Sequence, residues 1–174
     1  MPARRILQLG DPLLRVVSTP ASDPSQTRLI FRDLRATLHR FQRTHGFGRG
    51  ISAVQIGEPT RLIYIEIAGE TYSLVNPVLE WRSESTFCMW DDCFSFPDLM
   101  VYLKRSKAVI VAYEDELGKP GRIEATDAFS ELLQHELDHL DGVLAIDRAI
   151  DSNSFCTREE YLRRFATSSP AAAS

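Results

Sequence analysis

No run of this 174-residue chain approaches the roughly 18 apolar residues that a membrane-spanning helix needs. The opening MPARRILQLGDP carries two arginines but lacks the apolar core of a secretory signal, so the expected compartment is the cytoplasm. Cysteine is scarce. Three residues, Cys88, Cys93 and Cys156, are too few and too odd in number for a disulfide framework. Cys88 and Cys156 are expected to be small buried apolar residues. Basic charge is not in excess, since the net charge is −4; neither nucleic acid nor an anionic membrane is an expected partner. Internal repeats are absent, and TSSPAAAS at the C-terminus is the one low-complexity stretch. Histidine is sparse too, at four residues, which makes its placement informative.

What is present is ordinary globular composition, with 44% hydrophobic residues, enough to bury a core without covalent staples. The length suits one catalytic domain, over residues 1–166, followed by a flexible tail at 167–174. The opening reads as an extended arm with one short turn, marked by GDP and STP. Leu29, Ile30, Leu34, Leu38 and Phe41 recur at three and four, which predicts a helix at roughly 25–44. His39 and His45, near its end, read as surface residues. TRLIYIEI and ETYSLV predict two strands joined by a hairpin at AG. VNPVLEWRSES continues extended, with Pro77 forcing an edge or a bulge. AVIVAYED and RIEATD are further strands. ATDAFSELLQHELDHLDG predicts a helix capped by Thr126 or Asp127 and stopped by Gly142. A last helix is expected at roughly 157–166, with Glu160 in capping register to Thr157. Strands in runs with helices set apart from them indicate an α+β fold, antiparallel sheets packed around a central helix.

That central helix carries LLQHELDHLDG. Residues four apart share a helix face, so His135 and His139 can direct two imidazole nitrogens at one point. Glu136 is turned by about 100° from His135, near enough to take a proton from water at a bound metal without itself being a ligand. This HExxH pattern is that of a metallohydrolase. A third ligand is needed. No histidine follows His139, and position 145, where an extended pattern would place one, is Ala145. Glu159, Glu160, His39, His45 and a cysteine remain as choices. Cys93 lies in an unusual setting, WDDCFSFPDL, and a thiolate there would complete the site with one open position.

Taken together these residues resemble the peptide deformylases. GRGISAVQ matches the family's first motif at Gly48, Gly50, Ala53 and Gln55. DDCFS matches the second at Cys93 and Ser95, and QHELDH matches the third in full. GDPLLR, VNP and DELGKP lie in similar surroundings, and the resemblance spans roughly residues 4–150. It implies a metal-dependent hydrolase that removes the formyl group from N-formyl-methionyl peptides or nascent chains during N-terminal methionine processing in protein biosynthesis. Cys93, His135 and His139 would hold one divalent ion per chain, Fe²⁺ in cells and replaceable by Zn²⁺, Ni²⁺ or Co²⁺. Metal-bound water would attack the formyl carbon, with Glu136 as general base and then acid. The Gln55 amide and the Phe94 backbone N–H would stabilise the oxyanion. Gly48, Gly50, Met89, Glu131 and Leu132 would bind the substrate, the glycine segment pairing with it as an added strand.

The chain departs from the family in four places. Asp91 replaces a glutamate, keeping charge with a shorter reach, and could pair with Arg105. Asp92 replaces a glycine. Met100 stands where many members have an arginine that helps fix the site, and Ser52 replaces an alanine. Glu131 is also unexpected, because it shares the ligand face four residues before His135, where the resemblance implies an apolar methionine pocket. It either points along the rim into water or pairs with an arginine, or it faces the pocket and selects a polar or cationic side chain. Asp138 is either an acid supporting the site or a salt-bridge partner. Two further readings compete: hydrolysis of another N-formyl or amide substrate, and a catalytically impaired relative that binds peptide.

Overall fold

The structure is a computed structural model and describes residues 3–165. The expected tail at 167–174 lies outside the described residues. Helix α1 (Pro24–His45) starts where the Asp23 carboxylate accepts the Ser25 and Gln26 amides and ends at Gly46. Strands β1 (Gly50–Ser52), β2 (Leu62–Ile67), β3 (Glu70–Arg82), β6 (Ala108–Glu114) and β7 (Pro120–Thr126) form an antiparallel sheet in the order β1-β2-β3-β6-β7. Strands β4 (Thr86–Asp91), β5 (Leu99–Ser106) and β8 (Phe155–Thr157) form a second antiparallel sheet. Helix α2 (Asp127–Leu140) packs against both sheets, and α3 (Arg158–Phe165) follows β8 directly. The expected α+β architecture around the HExxH helix is borne out.

Strand β2 shows why the larger sheet sits where it does. Leu62 and Tyr64 pack with the α1 residues Ile30, Phe31, Leu34, Leu38 and Phe41. Ile63 and Ile65 point the other way and pack with Leu132, Leu133, Leu137 and Leu140 of α2. A strand alternates its side chains across the sheet, so an unbroken apolar run is needed when both faces are covered. A third cluster, with Leu14, Cys93, Phe96, Val101, Leu103 and Leu144, closes the core under the smaller sheet.

Several local expectations are refined. ETYSLV and the extended stretch after it form one strand, β3, with register shifts between Val75 and Val78 and between Leu79 and Trp81. Pro77 lies within the first shift, consistent with its missing N–H. The Ala68–Gly69 turn has both residues at positive φ, as a tight hairpin requires. Thr126 occupies the cap of α2 but makes no capping hydrogen bond from its side chain. Gly142 has φ +72°, and an added Cβ would lie 2.5 Å from the Arg15 carbonyl, so the N-terminal arm passes directly over the end of α2. The cysteine expectation is corrected: Cys88 is exposed and Cys156 only half-buried. Cys88 falls on the outward phase of β4, opposite the exposed Lys104, while Met89 and Asp91 take other positions along the strand.

Candidate active site

One turn of α2 sets the two histidines on the same face, with ring centroids 5.0 Å apart. Cys93, in the turn leaving β4, brings its Sγ to 3.2 Å from His139 Nε2. One donor atom each from Cys93, His135 and His139 lies within 4.8 Å of the others, and all three residues are buried. A tetrahedral ion would hold a thiolate and an imidazole nitrogen about 3.5 Å apart, so this donor set fits a divalent metal. Asp91, Glu131 and His135 also group within 4.8 Å. That grouping is the poorer fit, because the Asp91 and Glu131 carboxylates are already held by Arg105 and Arg49. Of the other ligand choices, His39 pairs with Glu66 at 2.7 Å, His45 stacks on Phe41, and Glu160 pairs with Arg163.

A chain of ion pairs fixes the first histidine. His135 Nδ1 meets Asp91 Oδ2 at 3.0 Å, which leaves Nε2 for a metal. Asp91 accepts from Arg105 Nη2 at 3.3 Å, and Arg105 Nη1 donates to Asp138 at 2.5 Å. Arg148 closes the chain on Asp138 at 2.7 Å. Asp138 is therefore a salt-bridge partner that holds Arg105. Burial alone would raise the Asp91 pKa, but His135 and Arg105 outweigh it and hold the carboxyl below its usual range. Burial pulls His135 down, and without an ion Asp91 overrides it and lifts the imidazole well above its ordinary value, so metal binding at Nε2 would release a proton. Burial and the neighbouring His135 push His139 well below, so its imidazole is neutral, the form that binds metal.

Glu136 is buried beside this centre. Its pKa is pushed up to about 7, chiefly by burial. Ser52 Oγ donates to its carboxylate at 2.5 Å, so the serine that departs from the family motif anchors the carboxylate. The Ser52 backbone N–H donates to Gln55 Oε1 at 2.9 Å. This fixes the Gln55 amide with Nε2 toward Cys93 Sγ, 3.7 Å away, and Ser95 Oγ, 3.3 Å away. Among the described residues the Phe94 N–H has no hydrogen-bond partner. The two motif glycines are there for space. A Cβ at Gly48, where φ is +127°, would lie 2.6 Å from the Phe94 ring; one at Gly50 would lie 2.8 Å from Glu136 Oε1.

These groups open on a cavity of about 520 Å³ that also takes in Met89, Glu131, Leu132, Arg49, Arg158 and Tyr161. Glu131 is 1% exposed, faces this cavity and pairs with Arg49 at 2.7 Å. Both halves of the sequence expectation thus meet in one residue. Arg49, Arg158 and Tyr161 were not anticipated. Arg49 could have been flagged by its place between the two motif glycines; nothing in the local sequence points to the other two.

A family model described as polypeptide deformylase matches residues 3–154. The chain belongs to the polypeptide deformylase family. Deformylases are metal-dependent hydrolases that remove the formyl group of N-formyl-methionyl peptides, and this chain accordingly acts on the N-formyl amide. Among its relatives, the peptide deformylase of Bartonella tribocorum is 35% identical over 173 residues, covering 95% of this chain and 92% of the relative. That of Acidothermus cellulolyticus is 37% identical over 149 residues, covering 85% and 79%. The crystal structure of a peptide deformylase from Synechococcus elongatus, in complex with actinonin, superposes with TM-score 0.82 at 29% identity, covering 94% of this chain and 86% of that one. The Thermotoga maritima peptide deformylase gives 0.81 at 28%, covering 87% and 100%.

Proposed function

We propose that Cys93, His135 and His139 hold the deformylase metal in this chain, and that Glu136 moves the proton of the reaction. The reading rests chiefly on the buried Cys93–His135–His139 donor set with Glu136 beside it. The ion is Fe²⁺ in cells, with Ni²⁺, Co²⁺ or Zn²⁺ able to replace it. It supplies Lewis acidity, polarising the formyl carbonyl and making water more acidic. Glu136 takes the proton of the attacking water and returns it to the departing amine. A carboxyl group near pH 7 can do both. The Gln55 Nε2 amide, its orientation set by Ser52, and the Phe94 N–H donate to the developing oxyanion. The peptide pairs along Gly48–Gly50 as an added strand, and Met89, Leu132 and Glu131 border its first side chain. The enzyme works on formylated peptides or nascent-chain N-termini in the cytoplasm.

The Arg49–Glu131 pair supports a second, finer reading. A pocket walled by an ion pair accepts a polar first side chain beside methionine. Both readings are tested by formate release from N-formyl tripeptides beginning with Met, Leu, Lys or Arg, using anaerobically metal-loaded protein. Glu136→Ala should lower turnover by about 10²–10⁴-fold with the metal retained. A variant that keeps its rate would remove Glu136 from the role given to it. Turnover of Met and Leu peptides with none of Lys or Arg would sink the finer reading alone.

A further inference from the structure

The family match ends at residue 154, yet Arg158 and Tyr161 line the cleft from beyond it. Strand β8 extends the smaller sheet through the pairs Leu99–Thr157, Met100–Cys156 and Val101–Phe155. This sets α3 at the mouth of the cleft. Trp90 of β4 packs at 6.0 Å from both Tyr161 and Phe165 and seats the helix.

Arg158 is then held from three sides. Its Nε donates to the Pro97 carbonyl at 2.6 Å, and Nη2 donates to Asp92 Oδ2 at 2.6 Å. The guanidinium carbon lies 3.8 Å from the centre of the Phe47 ring. Among the described residues Nη1 has no hydrogen-bond partner, and the side chain keeps 22% of its exposure. A planar cation is thus fixed with donors left over, on the wall of the substrate cleft.

Its place relative to the peptide follows from the edge segment. Gly50 lies against Glu136, where the reaction occurs. Phe47 is three residues before Gly50 and so at most about 10 Å from it along the chain. A peptide paired along the edge, with its formyl group at Glu136, carries roughly its third residue to the level of Phe47 and Arg158. Two departures from the family motif converge here. Asp92, in place of a glycine, is the carboxylate that holds Arg158. Met100, in place of an arginine, is 4% exposed and paired within the β5–β8 ladder, so β5 offers no cation to the cleft at that position.

We propose that Arg158, oriented by Asp92, Pro97 and Phe47, binds the backbone carbonyl or terminal carboxylate of the substrate about three residues from its formyl end, and so supplies from α3 the cation that position 100 lacks. The proposal rests on the deformylase reading. Charge-assisted hydrogen bonds of this kind are strong enough to change affinity by about tenfold or more.

The test compares metal-loaded wild type, Arg158→Ala, Arg158→Lys and Asp92→Gly on formyl-Met-amide and on a formyl-Met tripeptide. Arg158→Ala should raise KM for the tripeptide at least tenfold at nearly constant kcat and bring kcat/KM for the two substrates together. Arg158→Lys, which keeps charge but not the fork, should recover part of the loss; Asp92→Gly should fall between wild type and Arg158→Ala. Equal losses on both substrates, or a loss in kcat alone, would assign Arg158 to structure and overturn the proposal, as would no change on either. Wild-type protein that turns over neither substrate would bring down the deformylase reading itself, and the proposal with it.

Discussion

Asp91 and Asp92 are neighbours in the chain and opposites in the fold. Asp91 points inward, 3% exposed, between His135 and a guanidinium that is itself 4% exposed. Asp92 points into the cleft, about one-third exposed, and pairs with the partly exposed Arg158. Asp91 ends β4 and Asp92 opens the turn that follows, and this change of direction separates two uses of an ion pair. Around Asp91 both charges are desolvated, so each depends on the other, and removing one leaves a buried charge without a partner. Around Asp92 water screens the pair, so its value lies in where it holds Arg158 rather than in stability.

This contrast can be broken most severely at Asp91. Asp91→Ala should cost about 3–5 kcal/mol of stability, because His135 loses its counter-charge and the buried Arg105 keeps only Asp138, and metal affinity should fall about 10–100-fold. Chemical denaturation and metal titration would check both. A stability loss under 1 kcal/mol would mean that Arg105 is hydrated in solution. Removal of the metal comes next. If the three donors are its ligands, chelation should lower the melting temperature by several degrees, since the ion joins α2 to the turn after β4. An unchanged melting curve would place any bound ion elsewhere.

Glu131→Leu sharpens the comparison from the substrate side. The variant removes a buried carboxylate whose partner, Arg49, is 40% exposed and can turn to water. Stability should hold within about 1 kcal/mol, while selectivity for formyl-Met over formyl-Lys peptides should rise about tenfold. Unaltered selectivity would show that Glu131 does not meet the first side chain. The smallest effect is expected at Asp92 itself, where Asp92→Gly should change stability by less than about 1 kcal/mol.

The parts legible in the sequence are those with a local signal. The three-and-four spacing from Leu29 to Phe41 gave α1, and the hairpin at Ala68–Gly69 gave β2 and the start of β3. HExxH located the centre of the candidate site because two histidines four apart on a helix are both a sequence pattern and a spatial one. The smaller sheet was not legible. TFCMWD and LMVYLKRS are joined through the loop that carries Cys93, with no tight-turn signal between them, and β8 is only three residues long. The ion pairs were the least legible. Arg49 and Glu131 are 82 residues apart, and Arg158 and Asp92 are 66 apart, so only the folded chain brings them together. The departure at Ser52 was visible in the sequence, but its contact with Glu136 was not.

Strand β2, covered by α1 on one face and α2 on the other, has a consequence for how the molecule opens. Leu62, Ile63 and Ile65 are fully buried and Tyr64 nearly so, and their strand lies inside the sheet between β1 and β3. No partial fluctuation can expose them without detaching a helix. Their hydrogen exchange should therefore be the slowest in the protein and report global unfolding. The surface around α3, which buries none of its residues, should exchange orders of magnitude faster. The helix that carries Glu136, the residue assigned to proton transfer, is thus packed on the last structure to yield, while Arg158, the residue assigned to the peptide, sits on one of the first.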